Sequence, residues 1–206
     1  MLLSVLLRPP IPPGLAFTVT MLAAVSVASA VERATGLACA LKWPNDVLVG
    51  ERKLAGILCE MSLARNTLEY VIAGIGLNVN ADLRSIPEIA ETATSIYVEL
   101  GTQVDRLGLL CCLLSEIDTR YKMLIRASGQ APDRGVDLWQ RMVFDEWRPR
   151  LVTLGKKVVV SGGGDVEEGE AVDVALDGAL ILRRPNGEIA RINAGDVSVR
   201  LPVTRA

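Results

Sequence analysis

The chain has 206 residues, half of them apolar and 22% charged, with a net charge of −2 and no histidine. This is the composition of a globular protein, enough for one sizeable domain with a small second one. It excludes histidine-dependent triads and zinc sites, and so small a negative charge gives no electrostatic footprint for a nucleic-acid partner. In chain order, residues 2–7 read as a buried strand. Residues 14–31 are almost wholly apolar, and residues 14–35 read as a core helix, entered through Pro12-Pro13 and stopped by Gly36. That run, with Ala28-Ser29-Ala30, also has the texture of a signal peptide or a membrane span. Against this, no basic segment precedes it, Pro9, Pro10, Pro12 and Pro13 break the approach, and Thr18, Thr20, Ser26 and Ser29 recur within it. A membrane partner is therefore not expected.

Short strands follow over residues 38–42, 47–49, 54–63 and 67–76, with Gly50-Glu51 and Arg65-Asn66 as tight turns. Strands joined so closely pair antiparallel. Residues 81–100 are polar, carry Pro87 and read as a loop or lid. Residues 105–127 have helical spacing, with Leu107, Leu110, Leu114, Ile117 and Tyr121 on one side and Asp105 as N-cap. A second helix is expected over 137–147. Beyond Pro149 the texture changes to short β-branched runs broken by Asp177-Gly178, Asn186-Gly187 and Ala194-Gly195. Five such strands in about fifty residues suit a small barrel, SH3-like in size. The four cysteines, Cys39, Cys59, Cys111 and Cys112, lie in apolar runs and read as reduced core residues of a cytoplasmic protein.

The stretch Lys42-Trp43-Pro44-Asn45-Asp46-Val47, followed by Lys53-Leu54-Ala55-Gly56-Ile57-Leu58, carries the chemistry. Pro44 keeps Trp43 out of helical geometry and makes a bend that presents Asn45 and Asp46 at a strand end. Two lysines converging with a carboxylate and an amide suit an anionic substrate: the lysines attract phosphate or carboxylate, Asp46 can hold Mg2+, and Asn45 can orient a polar group. On charge alone, a solvated hairpin with surface lysines accounts for the same residues. Gly74-x-Gly76 invites a dinucleotide-binding reading, but Val79 stands where a third glycine is needed.

The K-W-P-N-D and K-L-A-G-I-L words together resemble the signature of the biotin–protein ligase family. Leu2-Leu3-Ser4 resembles the strand after that family's biotin loop. Gly74-Ile75-Gly76-Leu77-Asn78 resembles its G-x-G-x-N segment, and Ala93-Thr94-Ser95-Ile96 its adenylate-loop element. Gly155-Lys156-Lys157-Val158 and the segment from Ala194 to Arg200 resemble the two ends of its C-terminal domain. The resemblance implies an α+β fold of the class II aminoacyl-tRNA synthetase-like type. Residues 1–150 would form a largely antiparallel mixed sheet with packed helices, and residues 151–206 an SH3-like barrel. It implies ATP-dependent attachment of biotin to a lysine of a biotin carboxyl carrier domain through biotinyl-5'-AMP, with ATP, Mg2+ and biotin in the site. Lys53, Asp46 and Lys42 would be catalytic. Asn45, Gly56, Asn78 and Arg200 would bind the adenylate, and Asp46 the metal.

The family also carries a glycine- and arginine-rich loop before the L-x-L-S strand, where this chain begins. The expectation is a catalytic domain lacking its N-terminal part, with poor or no adenylation by this chain alone. Two other readings stay open: a lipoate ligase or lipoyl transferase, and a non-catalytic fragment that binds the carrier or pairs with an intact ligase. Residues 67–72 read either as a sheet edge for a homodimer, as in the family, or as an interior strand.

Overall fold

The computed structural model of the chain describes residues 1–130, 132–162, 165–193 and 196–199. Its first sheet comprises β1 (Leu2–Leu7), β2 (Ala40–Lys42), β3 (Asp46–Val49), β4 (Arg52–Ala64) and β5 (Thr67–Leu77), in the order β1-β5-β4-β3-β2, with antiparallel pairings throughout. Both expected turns are present. Gly50 takes φ +61°, and Arg65 and Asn66 both take positive φ between β4 and β5, the geometry that matches strand twist in a two-residue hairpin. β5 is interior over 71–76, paired to β1 on one side and β4 on the other, whereas over 67–70 it pairs with β4 alone among the described strands; of the expected 67–72 stretch, 67–70 is a sheet edge and 71–72 is interior.

Helix α1 (Phe17–Thr35) lies on one face of this sheet, against β2 to β5. Pro13 opens a 3-10 turn before it, and Gly36, at φ +73°, closes it by donating its N–H to Glu32 O at 2.9 Å. Thirteen of its residues are buried, so its apolarity all round is that of a helix enclosed by protein. Ala23, Ala24, Ala28 and Ala30 let its backbone approach its neighbours closely. Its outer side is covered by α3 (Arg106–Gln130) and α4 (Pro132–Trp147).

Three helical expectations change. Within the expected loop of 81–100 there is a 3-10 turn (Leu83–Ser85) and a helix, α2 (Ile96–Leu100). Ser95 Oγ caps α2 by accepting from Val98 N–H, a local signal hidden in a polar stretch. Helix α3 buries Leu109, Leu113, Ile117 and Leu124 and leaves Leu107 and Leu114 exposed. It carries leucines around more than one face, so the expected stripe holds at Ile117, which is buried, and Tyr121, which packs against the core, but not at Leu107 and Leu114. Asp105 does cap it, accepting from Leu107 N–H at 3.0 Å. Helix α4 begins at Pro132 rather than at residue 137. The cysteines are free thiols: Cys39, Cys59 and Cys112 are half-buried and pack against the core as expected, whereas Cys111 is exposed.

The three long helices are tied by charge. Arg120 donates to Glu116 Oε2 at 2.7 Å and to Glu146 Oε2 at 2.6 Å, and Arg33 pairs with Glu116 from α1. Burial pushes the Glu116 carboxyl up, but Arg120 and Arg33 more than offset this and hold it below its ordinary value. A depressed carboxyl contributes stability in full above its unfolded value, and that stability is lost as pH falls through the folded value. Glu116→Gln is expected to cost about 1–2 kcal/mol at neutral pH, or roughly 2–8 °C of melting temperature. The gap to wild type should close as pH drops through and below the ordinary carboxylate range. Melting curves from pH 7 to 3 check this, and a gap independent of pH contradicts it.

The second sheet holds β6 (Lys157–Gly162), β7 (Asp165–Val174), β8 (Leu180–Arg183), β9 (Ile189–Ile192) and β10 (Asp196–Val199), in the order β10-β6-β7-β8-β9, again antiparallel. The α+β class therefore stands. The C-terminal strands form the five-stranded unit expected, with the hairpin at Asp177-Gly178 leading into β8.

Candidate active site

The face of the first sheet opposite α1 is open, and cross-strand register decides what lies on it. Residues directly opposite one another in neighbouring strands share a face. Lys42 pairs with Asp46, Asp46 with Gly56, Gly56 with Gly76 and Gly76 with Leu2, so one row crosses all five strands. Two glycines in mid-row give the sheet a floor without side chains. The next row, Leu58, Gly74 and Ser4, continues it. Above this floor lies a cleft of about 430 Å³ walled by Leu2, Ser4, Asn45, Lys53 and Leu58. A second hollow of about 310 Å³ shares Lys53, Gly56 and Gly76 with it and runs on to Asn78 and Ala93. Together they form one groove with Lys53 at its waist.

Lys53 reaches this face because β4 is bulged. Val47 pairs with Ala55 but the next residue, Leu48, pairs with Lys53, so Leu54 is an extra residue. Leu54 and Ala55 are buried in succession, and Lys53 and Gly56 emerge on the same side. The Lys53 ammonium then folds over Gly56 and meets Asp46 Oδ1 at 2.6 Å. A Cβ at position 56 would stand 3.1 Å from both Lys53 Cε and Nζ. The lysine backbone is held too: its N–H donates to Thr92 O and its carbonyl accepts from Thr94 N–H, each at 2.8 Å.

The Trp43-Pro44 peptide is cis, and the turn it belongs to places Asn45 beside β4. Asn45 Nδ2 donates to Ile57 O at 2.7 Å, and Ile57 N–H donates back to Asn45 O at 2.9 Å. Asn78 Nδ2 donates to Thr94 O at 3.0 Å, which ties the far end of the groove to the segment that clamps Lys53. Lys53, Asp46, Asn45, Gly56 and Asn78 are thus brought together. Lys42 shares the face of Asp46 but lines neither hollow. Arg200 lies outside the described residues.

Sequence reasoning missed the clamp at 92–94 and the glycine floor. Two glycines two apart in a strand are the mark of such a floor, since they must share a face. Among the described residues, no three acidic, cysteine or histidine side chains converge as a metal cage. One carboxylate fits Mg2+ only where triphosphate and water supply the other ligands, as this ion usually binds.

This geometry can hold an anionic, partly apolar ligand. The profile of the biotin/lipoate A/B protein ligase family matches residues 1–78, and that of the biotin protein ligase C terminal domain matches residues 153–200. The biotin--[acetyl-CoA-carboxylase] ligase of Paracoccus denitrificans is 33% identical over 184 residues, covering 85% of this chain and 72% of that protein. The chain belongs to the biotin protein ligase family. The bifunctional ligase/repressor BirA of Bacillus subtilis is 30% identical, over 96% of this chain but 57% of its own length, so the chain spans little more than half of that relative. Among solved structures, the biotin protein ligase of Aquifex aeolicus in complex with biotin and ATP superposes with a TM-score of 0.73 at 28% identity. That match covers 97% of this chain and 77% of the other.

Proposed function

We propose that the chain performs ligase chemistry in which biotin is joined, at the cost of ATP, to a lysine of a biotin carboxyl carrier domain through biotinyl-5'-AMP. The observation that carries this is the Lys53–Asp46 pair folded over Gly56, at the waist of a groove whose floor is glycine. The Aquifex relative with biotin and ATP bound supports it. We take residues 1–150 as the catalytic part and residues 151–206 as the C-terminal domain. A cytoplasmic location suits the free thiols and the need for ATP.

In the first step a biotin carboxylate oxygen bonds to the α-phosphorus of ATP, and the bond to pyrophosphate breaks. Negative charge gathers on phosphate oxygens, and the Lys53 ammonium offsets it from a position fixed by Asp46 and by the clamp at 92–94. Mg2+ carried by the triphosphate would neutralise further charge, with Asp46 the residue to hold it. In the second step the carrier lysine amine bonds to the acyl carbon and AMP leaves. The amine must shed a proton, and Asp46 is the carboxylate within the cluster that can take it. Lys42, across from Asp46, adds positive charge on the approach to the phosphates. A homodimer would pair through β1, which is partnered on one side only among the described residues.

The test supplies the chain with ATP, Mg2+ and either biotin or lipoate, together with a biotin carboxyl carrier domain. It follows pyrophosphate release and the mass of the carrier. Biotin-dependent release and a biotin-sized mass gain are expected, both slow for this chain by itself. Gain with lipoate alone would move the assignment to lipoyl ligation. Carrier binding without release or mass gain would make the chain a non-catalytic binding protein.

A further inference from the structure

The turn that presents Asn45 and Asp46 is held from the C-terminal side of the chain. Leu41 of β2 forms a parallel bridge with Leu151, and Val152 N–H donates to Leu41 O at 2.9 Å, so the segment leading into the second sheet lines the edge of the first. Two residues beyond Leu41 and Leu151, the Trp43 N–H donates to Thr153 Oγ1 at 3.0 Å. Thr153 is fully buried and Trp43 is 1% exposed. The indole Nε1–H donates to Gly178 O at 2.8 Å, across 135 residues. Gly178 sits at φ +92°, and a Cβ there would fall 1.9 Å from the Phe17 ring. The carbonyl that receives the indole is thus fixed both by a backbone conformation open to glycine and by a packed aromatic ring.

We propose that Thr153, Trp43 and Gly178 are positioning residues for the ligation reaction, setting the angle of the 43–46 turn and through it the Lys53–Asp46 pair. This rests on the ligase reading. The path is short. From Trp43 the chain runs through Pro44 to Asn45, which shares two hydrogen bonds with Ile57, and then to Asp46, which meets Lys53 at 2.6 Å. Apolar packing alone would bury Trp43 equally well in several orientations, whereas two directed hydrogen bonds at its two ends leave one. Reacting groups displaced by about 1 Å can cost on the order of 100-fold in rate, so an anchor of this kind acts on turnover rather than on binding alone. Thr153 and Gly178 then serve catalysis through Trp43 rather than by contact with substrate.

The experiment compares Thr153→Val, Thr153→Ser, Trp43→Phe and Lys53→Ala with wild type. It measures kcat and KM for biotin in ATP-dependent pyrophosphate release, melting temperature, and amide exchange at Ile57, whose N–H bonds Asn45 O. Thr153→Val keeps shape and removes the acceptor, whereas Thr153→Ser keeps the acceptor. Expected are a fall in kcat of about 10–100-fold for Thr153→Val and Trp43→Phe with KM little changed, faster exchange at Ile57, and recovery of both in Thr153→Ser. Wild-type kcat in Thr153→Val and Trp43→Phe, with Lys53→Ala inactive, would overturn the inference and leave the ligase reading intact. If wild type and Lys53→Ala are equally inactive, the ligase reading fails for this chain by itself, and with it the catalytic role of the anchor there. Exchange at Ile57 then reports the physical link alone, and unchanged protection in Thr153→Val would overturn that link as well.

Discussion

Lys53→Ala is expected to lower kcat/KM for biotin-dependent pyrophosphate release by about 10²–10³, the usual cost of losing one preorganised group at developing charge. Affinity for a non-hydrolysable biotinyl-adenylate analogue should fall by about 10–100-fold, the worth of a charge-assisted hydrogen bond. The fold should hardly notice. The Lys53 side chain is 47% exposed, and an ion pair so placed contributes about 0–1 kcal/mol. Lys53→Arg should restore little. The guanidinium is planar and forked where the ammonium is compact, so it would not repeat the contact that Lys53 Nζ makes with Asp46 Oδ1 above Gly56. Calorimetry and steady-state kinetics on the three proteins check this, and an alanine variant with wild-type turnover would remove Lys53 from the mechanism.

Gly56→Ala is the second large effect, and it should separate function from stability even more sharply. The added methyl would lie 3.1 Å from Lys53 Cε and Nζ and 3.7 Å from Asp46 Oδ1. Only the flexible end of the lysine must yield, and β4 loses nothing by exchanging glycine for a residue with less backbone freedom. Melting temperature should therefore stay level or rise slightly. Activity should fall by on the order of 100-fold, because the ammonium is pushed off its carboxylate and the groove narrows where its two halves join. KM for biotin should rise at the same time. Wild-type kinetics in this variant would show that the close approach of Gly56 to Lys53 is incidental.

Much of this arrangement can be read from residues in order, and the part that cannot has a common cause. Turns declare themselves locally, so Gly50-Glu51 and Arg65-Asn66 mark the hairpins of the first sheet, and Gly36 marks the end of α1. The site words lie within seventeen residues, so Lys53, Asp46, Asn45 and Gly56 are found without a structure. Contacts between distant segments leave no such trace. The clamp of Lys53 by Thr92 and Thr94 spans about forty residues, and it lies in a stretch whose polarity reads as loop. The bond from Trp43 to Gly178 spans far more, and a tryptophan in a turn shows nothing of its partner. Helix α3 failed differently. Leucines at 107, 109, 110, 113 and 114 offer two apolar stripes, and which one is buried depends on where α1 and α4 pack against it. Cys111 is exposed on the same helix for the same reason.

The extra residue at Leu54 makes the segment 52–56 behave like a reading frame. A strand alternates its faces with every residue, so each position means inside or outside only relative to a phase. The bulge resets that phase once, between the lysine and the glycine it lies over. Shortening the segment by one residue would keep every side chain of the groove in the chain and still turn Lys53 toward α1, or turn Ile57 and Cys59 outward. A relative that aligns with a one-residue gap at this point would therefore share the words of the site but not its geometry. Spacing from Lys53 to Gly56 is accordingly a stricter test of a working groove than the presence of either residue.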